Sequence, residues 1–436
     1  MAQPDAYLAA LLSQRQVPPQ ILGAREWLQK LRDRAAEQVR QSVIPSTRHE
    51  EWRFTDLSPL RQATFQAPAQ VNIPEPNIAE LTLPDVDSRL VFVNGLYAPH
   101  LSSLTSLPAG IFVGNLAQLP AAYQEQIQDY LAQQQNSTEV FTALNTAGFV
   151  DAAVIWVSKN EVIEQPIQLL FVSIAGESPI ITQPRCLVIA EASSALTLIE
   201  EYTSVGSGAT PVCPYWTNAV TEIWLKDNAQ VNHSRIQREQ QGAFHVGRTA
   251  IAQSRDSRYT CNAISLGAGL SRHNLDVLST GEQTETTLNG LTVIGDTQLA
   301  DTHSAITFTR PYGKSDQLHK CIVNDRAHAV FNGKVFVPQA AQLTDAAQLN
   351  RNLLLSPKAR MDTKPQLEIV ADNVKCTHGA TVGQLDPEEV FYLQSRGLDS
   401  TRATNLLIRA FAAEVIERLP IFSLRQTLTQ SVMVEI

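Results

Sequence analysis

Two side chains near the carboxyl end of this 436-residue sequence are of the types that bind a soft metal ion. Cys376 and His378 stand two positions apart in the run VKCTHGATVG, residues 374–383. Thiolate and imidazole are ligands for iron, zinc and iron–sulfur clusters, whereas magnesium and calcium prefer oxygen. In a β-strand the two side chains point to one face, roughly 7 Å apart along the backbone. Two ligands are half of a usual set, so this pair alone does not complete a metal site.

The same pair also has a plainer interpretation. A free cysteine on an apolar strand face is usually a small core residue, and a histidine beside it is usually a hydrogen-bonded core group. A second pair, His319 and Cys321, stands at the same spacing in QLHKCIVND. Two such pairs on neighbouring strands would form a closed Cys2His2 zinc site within one chain. Three hypotheses therefore stay open: a packed strand, a structural zinc site, and half of a site that a partner strand completes.

The segment that carries both pairs has the pattern of β-structure. From about residue 151 to residue 385, short runs rich in valine, isoleucine and threonine alternate with glycine, asparagine, aspartate and serine. Each run has the length of one strand, and helical periodicity is absent. The strands are numerous and short and lack the pattern of hairpin Asn-Gly or Asp-Gly turns, which favours a β-solenoid over a large sandwich. We therefore predict a mainly β fold with a β-solenoid core.

Helical signals flank this core. Residues 21–41 place apolar side chains near helical spacing, and a second helix is predicted over residues 121–135. After the core, Asp386 can cap a helix whose first position is Pro387 and whose end is marked by Gly397. The predicted regions are an N-terminal helical region, a connector with mixed structure, the β-solenoid core and a C-terminal helical region: 1–70, 71–150, 151–385 and 386–436.

The composition narrows the class of protein. Lysine and arginine total 34 against 43 aspartates and glutamates, a net charge of −9, which argues against nucleic acid or an anionic membrane as a partner. The five cysteines are widely separated and include no CxxC pair, so we expect a reducing compartment rather than a disulfide framework. The N-terminus has no signal-peptide pattern, and no apolar run reaches the length of about 18 residues that spans a membrane. We predict a cytoplasmic protein without a membrane partner.

Motifs for enzymatic chemistry are missing from the sequence. The run YGKS at 312–315 is similar to the end of a phosphate-binding loop, but Phe308 stands where the first glycine belongs. No GxSxG or HExxH motif occurs. A carbohydrate-active β-helix enzyme, an alternative with this architecture, needs paired carboxylates, and no strand pattern places a dense set of them on one face. We therefore predict that the chain is not an enzyme and binds no nucleotide, so any nucleotide hydrolysis belongs to another chain.

Long stretches of the sequence resemble the SufB/SufD family of iron–sulfur cluster assembly proteins. The resemblance is carried by residues 301–356 and 364–398, and by the earlier runs PSTRHEEWRFTDLSPL and FTALNTAGFVDAAVIWV. The match through residues 301–400 is long and specific. The run VKCTHGATVG is similar to the SufD branch, in which a histidine closely follows the cysteine.

The resemblance implies a fold, partners and a cargo. The fold is expected to be a right-handed β-helix between two helical regions. The expected partners are a SufB-like subunit, which pairs with the chain, and a SufC-like ATPase, which docks on the C-terminal helices; an isolated chain is expected to be able to form a homodimer. The expected cargo is a transient iron–sulfur cluster at the interface with SufB, to which His378 contributes. Cys376 matches a nearby cysteine of the family, as a ligand, a sulfur acceptor or a supporting thiol.

Overall fold

A computed structural model of the protein describes residues 5–16, 25–69, 78–79, 81–105, 107–205 and 213–433. Strands dominate these ranges, and helices stand near both termini. Most strands belong to two sheets of ten strands each, which wind together into a β-solenoid of about eight turns. The predicted mainly β fold, with a solenoid core between helical regions, is therefore confirmed.

The first sheet, sheet I, begins with a short antiparallel pair and continues with parallel strands. In order of pairing its members are β2 (Leu96–Tyr97), β1 (Ser88–Val93), β5 (Ile167–Ile174), β8 (Ala195–Val205), β10 (Gln230–Arg238), β12 (Arg258–Ser265), β14 (Glu285–Ile294), β16 (Lys314–Val323), β18 (Asp345–Leu354) and β20 (Lys375–Gly383).

The second sheet, sheet II, also begins with an antiparallel pair, β3 with β4, and is otherwise parallel. In order of pairing its members are β3 (Ile111–Asn115), β4 (Ala153–Val157), β7 (Arg185–Ala190), β9 (Tyr215–Leu225), β11 (Ala243–Gln253), β13 (Leu270–Ser279), β15 (Leu299–Phe308), β17 (His328–Val337) and β19 (Arg360–Ile369), and β6 (Ile180–Thr182) pairs with β9 beside β7.

From β8 onward, consecutive strands alternate between the two sheets, so that each pair of strands makes one coil. Gln230 pairs with Arg258, Arg258 with Glu285, and Glu285 with Lys314. The spacing along the sequence differs at every step, although the strands stay in parallel register. The coils therefore repeat in space without a fixed period in the sequence.

One corner of the solenoid is built from residues in the left-handed backbone region. Asp256, Gln283, Tyr312 and Leu343 all have φ between 57° and 65°. Each donates its backbone N–H to a carbonyl of the next coil, at 2.7 to 3.3 Å between nitrogen and oxygen. Aspartate tolerates this conformation well, whereas tyrosine and leucine adopt it at a cost. The stacked backbone bonds thus fix the corner conformation whatever the side chain.

The interior contains a buried polar network as well as an apolar core. His233 Nε2 lies 2.7 Å from Glu200 Oε2, and His245 Nδ1 lies 2.6 Å from Glu239 Oε2. All four side chains are at most 1 % exposed. Burial alone lowers the pKa of His233, but hydrogen bonds to Cys261 and Glu200 raise it to about 9. Each buried carboxylate therefore has a hydrogen-bonded partner, which an apolar interior requires.

The helices of the described ranges lie at the two ends of the chain. The N-terminal ones pack on the outer face of the first coils of sheet II, where Phe141 contacts Trp216 at 5.7 Å between ring centroids. The C-terminal ones cover the outer face of sheet I. They are α1 (Ala6–Ser13), α2 (Glu26–Arg40), α3 (Ser58–Gln62), α4 (Ala121–Gln124), α5 (Val140–Gly148), α6 (Pro387–Ser395), α7 (Ser400–Ile416) and α8 (Phe422–Ser431). In this part of the chain no helix is long and apolar enough to span a membrane.

The predicted helix boundaries are confirmed in one place and wrong in another. Asp386 accepts from the backbone N–H of Glu388 at 2.8 Å, Pro387 is the first helical residue, and Gly397 has φ +94°. The helix predicted over residues 121–135 is wrong, because α4 ends at Gln124 and only one short 3-10 turn follows. The chain turns at Ala132, whose φ is +60°, and its N–H binds Glu222 of sheet II. Of the helix predicted over 21–41, the residues before 25 lie outside the described ranges.

A charged contact fastens the N-terminal region to sheet II. Arg272 donates from Nη1 to the carbonyl of Glu51 at 2.7 Å and pairs with the buried Asp301. His303 lies between two carboxylates, 3.0 Å from Asp301 and 3.2 Å from Glu51. Thr55 donates its hydroxyl to Asp301. We call these five residues the N-terminal clamp.

Candidate functional site

The last coil of the solenoid is open in the described part of the chain. The pairing order of sheet I stops at β20, and that of sheet II stops at β19. Nearly every residue of β20 is exposed, although its neighbour β18 buries every second side chain. The N–H of Lys375 is bonded to Thr344 on the β18 side. Because backbone groups alternate along a parallel strand, the N–H groups of Cys376, His378 and Ala380 point to the free edge.

Cys376 and His378 lie on the inward face of β20, at this open end. Cys376 pairs in register with Ala346, and His378 with Gln348. Ala346 and Gln348 are 2 % and 3 % exposed and point into the solenoid, so their partners on β20 point the same way. Within the described ranges no further coil covers them. The register of β20 confirms the prediction that Cys376 and His378 share one face of a strand.

The two side chains differ in their surroundings. Cys376 is half-buried and packs against the apolar interior together with Val374. Burial raises the pKa of the Cys376 thiol, a backbone hydrogen bond from Ala346 lowers it, and the Asp345 carboxylate raises it further. His378 is exposed, and none of the described residues forms a hydrogen bond or an ion pair with its side chain. The raised pKa favours the neutral thiol unless a cation or a partner group stabilises the thiolate. The His378 imidazole has no competing partner among the described residues and is accessible to a metal ion.

The second pair, His319 and Cys321, lies deeper in the solenoid and does not join the first. Both residues are on β16, with β18 between them and β20, and His319 aligns through Asn350 with Ala380 rather than with His378. Two strand spacings separate the pairs by about 10 Å. The Cys2His2 zinc hypothesis is therefore wrong. Among the residues that the structure describes, no three histidine, cysteine, aspartate or glutamate side chains are grouped as metal ligands.

Burial keeps this deeper pair neutral. Burial lowers the pKa of His319 to about 4 and raises the pKa of Cys321 to about 12, although a hydrogen bond to Thr292 lowers the latter. The His319 ring stacks on Phe331 at 4.8 Å between centroids. The plainer interpretation, a packed strand with a core cysteine and histidine, thus holds for β16 and not for β20.

Polar side chains line the interior just above the open end, and sequence reasoning missed them. Gln348 donates to Gln317 at 2.8 Å, and Asn350 accepts from Thr363 at 2.8 Å. Asn352 donates to the carbonyl of Thr381 on β20 at 2.9 Å. The available signal was the alternation Gln-x-Asn-x-Asn at 348–352, which puts an amide at every second position of a strand. The interior surface next to Cys376 and His378 is therefore lined by amide groups.

The C-terminal helices contact the strands next to the open end. Lys320 on β16 donates to the carbonyl of Phe411 at 2.9 Å and pairs with Glu414. Arg351 on β18 lies 3.4 Å from the same Glu414 carboxylate. Since β18 pairs directly with β20, one side chain of α7 is tied to the strand that supports the candidate ligands. We call Lys320, Arg351 and Glu414 the C-terminal clamp.

Helix α6 follows β20 directly and has an uncovered aromatic surface. None of its side chains is buried, and Phe391 and Tyr392 are 70 % and 58 % exposed. A helix of nine residues has little stability of its own in water, and aromatic side chains are usually covered. This surface has the character of a docking site for another protein.

The buried acidic residues do not form the open carboxylate pair of a glycosidase. Glu200 and Glu239 are inside the solenoid, at 0 % and 4 % exposure, and each is hydrogen-bonded to a histidine. A polysaccharide needs a groove that exposes both carboxylates. The interior network therefore stabilises charge within the fold and gives no support to the carbohydrate-active alternative.

Comparison with known proteins identifies the family. A model of the SUF system FeS cluster assembly SufBD core domain matches residues 172–411, and a model of the SufBD protein N-terminal region matches residues 14–169. An iron–sulfur cluster assembly SufBD family protein of Synechocystis is 47 % identical over 92 % of this chain and 89 % of its own length. The iron–sulfur cluster assembly protein SufD of Escherichia coli is 33 % identical over 89 % of each chain, and that of Bacillus subtilis is 28 % identical over 92 % of each. The chain belongs to the SufBD family of the SUF system for iron–sulfur cluster assembly.

Proposed function

We propose that the chain is a SufD-like scaffold subunit, not an enzyme, that works with a SufB-like subunit and a SufC-like ATPase. The cargo is an iron–sulfur cluster assembled where the open end of the solenoid meets the SufB-like subunit. The observation that carries the proposal is the half-set of ligands, Cys376 and His378, on an uncovered strand edge. A site with half its ligands on an unpaired edge is suited to completion by a second chain.

The backbone of β20 supports pairing with a partner strand. Its outward N–H and C=O groups have no partner among the described residues, and hydrogen bonds to a partner's edge strand would satisfy them. Such pairing also fixes the register of the partner, so that its side chains meet Cys376 and His378 at a defined spacing. A second copy of this chain offers the same edge, which accounts for a homodimer when the SufB-like subunit is missing.

The chemistry of the two candidate ligands suits a cargo that is held and then released. His378 binds iron through the unprotonated nitrogen of a neutral imidazole, so no proton has to leave that nitrogen. Cys376 must lose its proton to bind, and burial opposes that loss. The thiol therefore becomes a ligand, or a supporting group, only when iron or a cationic partner group stabilises the thiolate. Binding at this position depends on assembly of the complex and weakens when the interface opens.

The C-terminal helices are the proposed docking region of the SufC-like ATPase, so this chain itself binds no nucleotide. Phe391 and Tyr392 on α6 supply an exposed aromatic anchor of the kind that dominates binding energy at interfaces. The C-terminal clamp joins α7 to β18, next to β20. Movement of these helices by the ATPase is thus transmitted to the strand edge that contacts the SufB-like subunit.

The test is reconstitution of the complex with a single altered ligand. The wild-type chain, His378→Ala and Cys376→Ala are each co-purified with SufB-like and SufC-like subunits and loaded anaerobically with iron and sulfide. We expect an intact complex in every case, with iron and acid-labile sulfide lost in His378→Ala and reduced in Cys376→Ala. The matched control is His49→Ala, which removes an exposed histidine of the N-terminal region. A full cluster load in His378→Ala contradicts the proposal.

A further inference from the structure

We propose that Gln348 is the positioning residue of His378. When the His378 ring turns toward β18, the carboxamide oxygen of Gln348 accepts the N–H of one imidazole nitrogen and leaves the other nitrogen unprotonated and directed at the open end. The inference rests on the proposed role of His378 as a ligand. It concerns a side chain of the neighbouring strand that no motif singles out.

The strand register brings the two residues together. Gln348 on β18 and His378 on β20 are direct partners in a parallel pair, and both point inward. Their Cα atoms are therefore separated by one strand spacing, about 4.8 Å. A glutamine and a histidine at this separation can form a hydrogen bond by rotation about their side-chain bonds alone.

A chain of hydrogen bonds orients the Gln348 amide. Gln317 donates from Nε2 to the hydroxyl of Ser304 at 2.7 Å, so its own oxygen is left to accept. That oxygen accepts from Gln348 Nε2 at 2.8 Å. The carboxamide oxygen of Gln348 is then the group without a partner among the described residues. A buried acceptor without a donor is unfavourable, so the oxygen favours a nearby N–H, and the His378 imidazole is the adjacent side chain that carries one.

Gly333 on β17, in the opposite sheet, lies directly against the same amide. A Cβ atom placed on Gly333 would lie 2.1 Å from Gln348 Nε2 and 2.8 Å from its carboxamide carbon. The carboxamide therefore occupies space that only glycine leaves free. With Gln317 on one side and Gly333 on the other, the amide has little freedom to turn away from β20.

A fixed acceptor selects one form of the imidazole. A neutral histidine carries its proton on one ring nitrogen and a lone pair on the other. Histidines that bind metals usually donate the remaining N–H to a second group, which sets both the tautomer and the ring orientation. A carboxamide oxygen serves this purpose without adding charge. The expected result is an imidazole preorganised for iron before any iron is present.

The experiment measures the tautomer of His378 in the metal-free chain. Long-range proton–nitrogen NMR of 15N-histidine-labelled protein at pH 8 distinguishes the two neutral forms. We expect one dominant tautomer in the wild type, a mixture similar to free histidine in Gln348→Leu, and recovery of one tautomer in Gln348→Glu, which keeps an acceptor oxygen. Gly333→Ala is expected to reproduce the mixture without altering Gln348 itself. The control is Gln237→Leu, another fully buried glutamine with an unpartnered oxygen, located in a distant coil.

The outcomes separate this inference from the proposed function. An unchanged tautomer in both Gln348→Leu and Gly333→Ala, with the fold intact by circular dichroism, overturns the positioning role. In the assembled complex Gln348→Leu is expected to weaken iron binding about 10- to 100-fold, the usual effect of losing a residue that hydrogen-bonds a metal-binding histidine. If the tautomer responds but iron binding is indifferent to His378→Ala, the positioning role survives and the proposed ligand role fails.

Discussion

The two ends of the solenoid are closed in different ways. At the amino end, antiparallel strands β2 and β3 cap the sheets, and helices pack beside them. Leu90 and Phe92 on β1 are 0 % and 1 % exposed. At the carboxyl end no further strand of the described ranges pairs with the free edges of β19 and β20, and Ile369 and Val382 are 40 % and 48 % exposed. In the described ranges one end is therefore capped by the chain itself, and the other ends in two unpaired strand edges.

The contrast shows how a repetitive fold can be both stable and adhesive. A stack of coils buries its sides without help, but each terminal coil exposes backbone groups that would pair with any passing strand. Capping both ends would give a stable monomer without an interface. Under the proposed function, an open end that carries the candidate ligands links metal binding to association with a second chain.

The largest expected effect breaks the closed end. Phe92→Ala removes a buried ring that contacts Phe171 at 5.3 Å between centroids, and we expect it to destabilise the fold by about 3–5 kcal/mol. The matched change at the open end, Val382→Ala, is expected to change stability by less than about 0.5 kcal/mol because the side chain is already half exposed. Chemical denaturation of both variants provides the comparison. Equal destabilisation would show that the open end is covered within the chain.

The next effect breaks the open end without harming the fold. Ala380→Pro removes an N–H that points to the free edge and leaves the bonds to β18 in place. We expect pairing with the SufB-like subunit to weaken by about 3 kcal/mol, roughly a hundredfold in Kd, with little change in Tm. Light scattering and a binding titration measure this, with Ala380→Gly as the control. An unaltered affinity would place the interface elsewhere.

A third effect concerns the N-terminal clamp, which fastens the N-terminal region to strands β13 and β15 of sheet II. Burial alone lowers the pKa of His303, but Asp301 and Glu51 raise it above its usual value, while Arg272 lowers it. A raised pKa stabilises the fold below the unfolded value, near 6.5, and this contribution is lost as pH rises through the folded pKa. His303→Gln should therefore flatten the fall in Tm as pH rises above about 6.5. His49→Gln serves as the control, and parallel curves for His303→Gln and wild type would refute the clamp's pH dependence.

The Asp301 carboxylate of the same clamp makes the stability of the fold depend on pH in the acidic range. Burial raises the pKa of Asp301, but Arg272 and His303 lower it to about 2. Relative to the usual value of 3.8, this shift corresponds to about 2 kcal/mol of stability, present above that value and lost as pH falls through about 2. Asp301→Asn is expected to lose this stability at pH 7, measured by urea unfolding. If Asp301→Asn is as stable as wild type at pH 7, the ion pair contributes nothing to holding the N-terminal region.

The smallest expected change in stability is at the C-terminal clamp, which joins helix α7 to the strands next to the open end. Glu414 is partly exposed, so Glu414→Gln should cost less than about 1 kcal/mol in stability. Its effect on coupling should be larger: ATPase activity of the SufC-like subunit remains, while cluster formation at the open end falls. Parallel assays of hydrolysis and acid-labile sulfide test this, with Glu417→Gln as a control on the same helix end. Equal losses of both activities would argue against a transmitting role.

Local signals in the sequence predicted much of the fold, and long-range signals predicted little of the site. Asp386 and Pro387 mark a helix start from the adjacent residues alone. The pairing of Gln348 with His378 depends on coil lengths that vary from one turn to the next, so it cannot be counted from the sequence. The same holds for the contact of His233 with Glu200, which are 33 residues apart. The helix predicted over 121–135 stops at Gln124, and the later turn at Ala132 depends on a bond to Glu222 of sheet II, a contact that helix propensity does not contain.

The corner of stacked left-handed residues also determines where the protein tolerates added length. Tyr312 lies four positions after the end of β15 and Leu343 six positions after the end of β17, while each lies two positions before the next strand, so extra residues are accommodated before the corner residue. A short insert between the end of β15 and Tyr312 therefore leaves the inward columns of side chains in their order. These corners are therefore natural points for attaching fluorophores or affinity tags along the solenoid, at increasing distances from the open end.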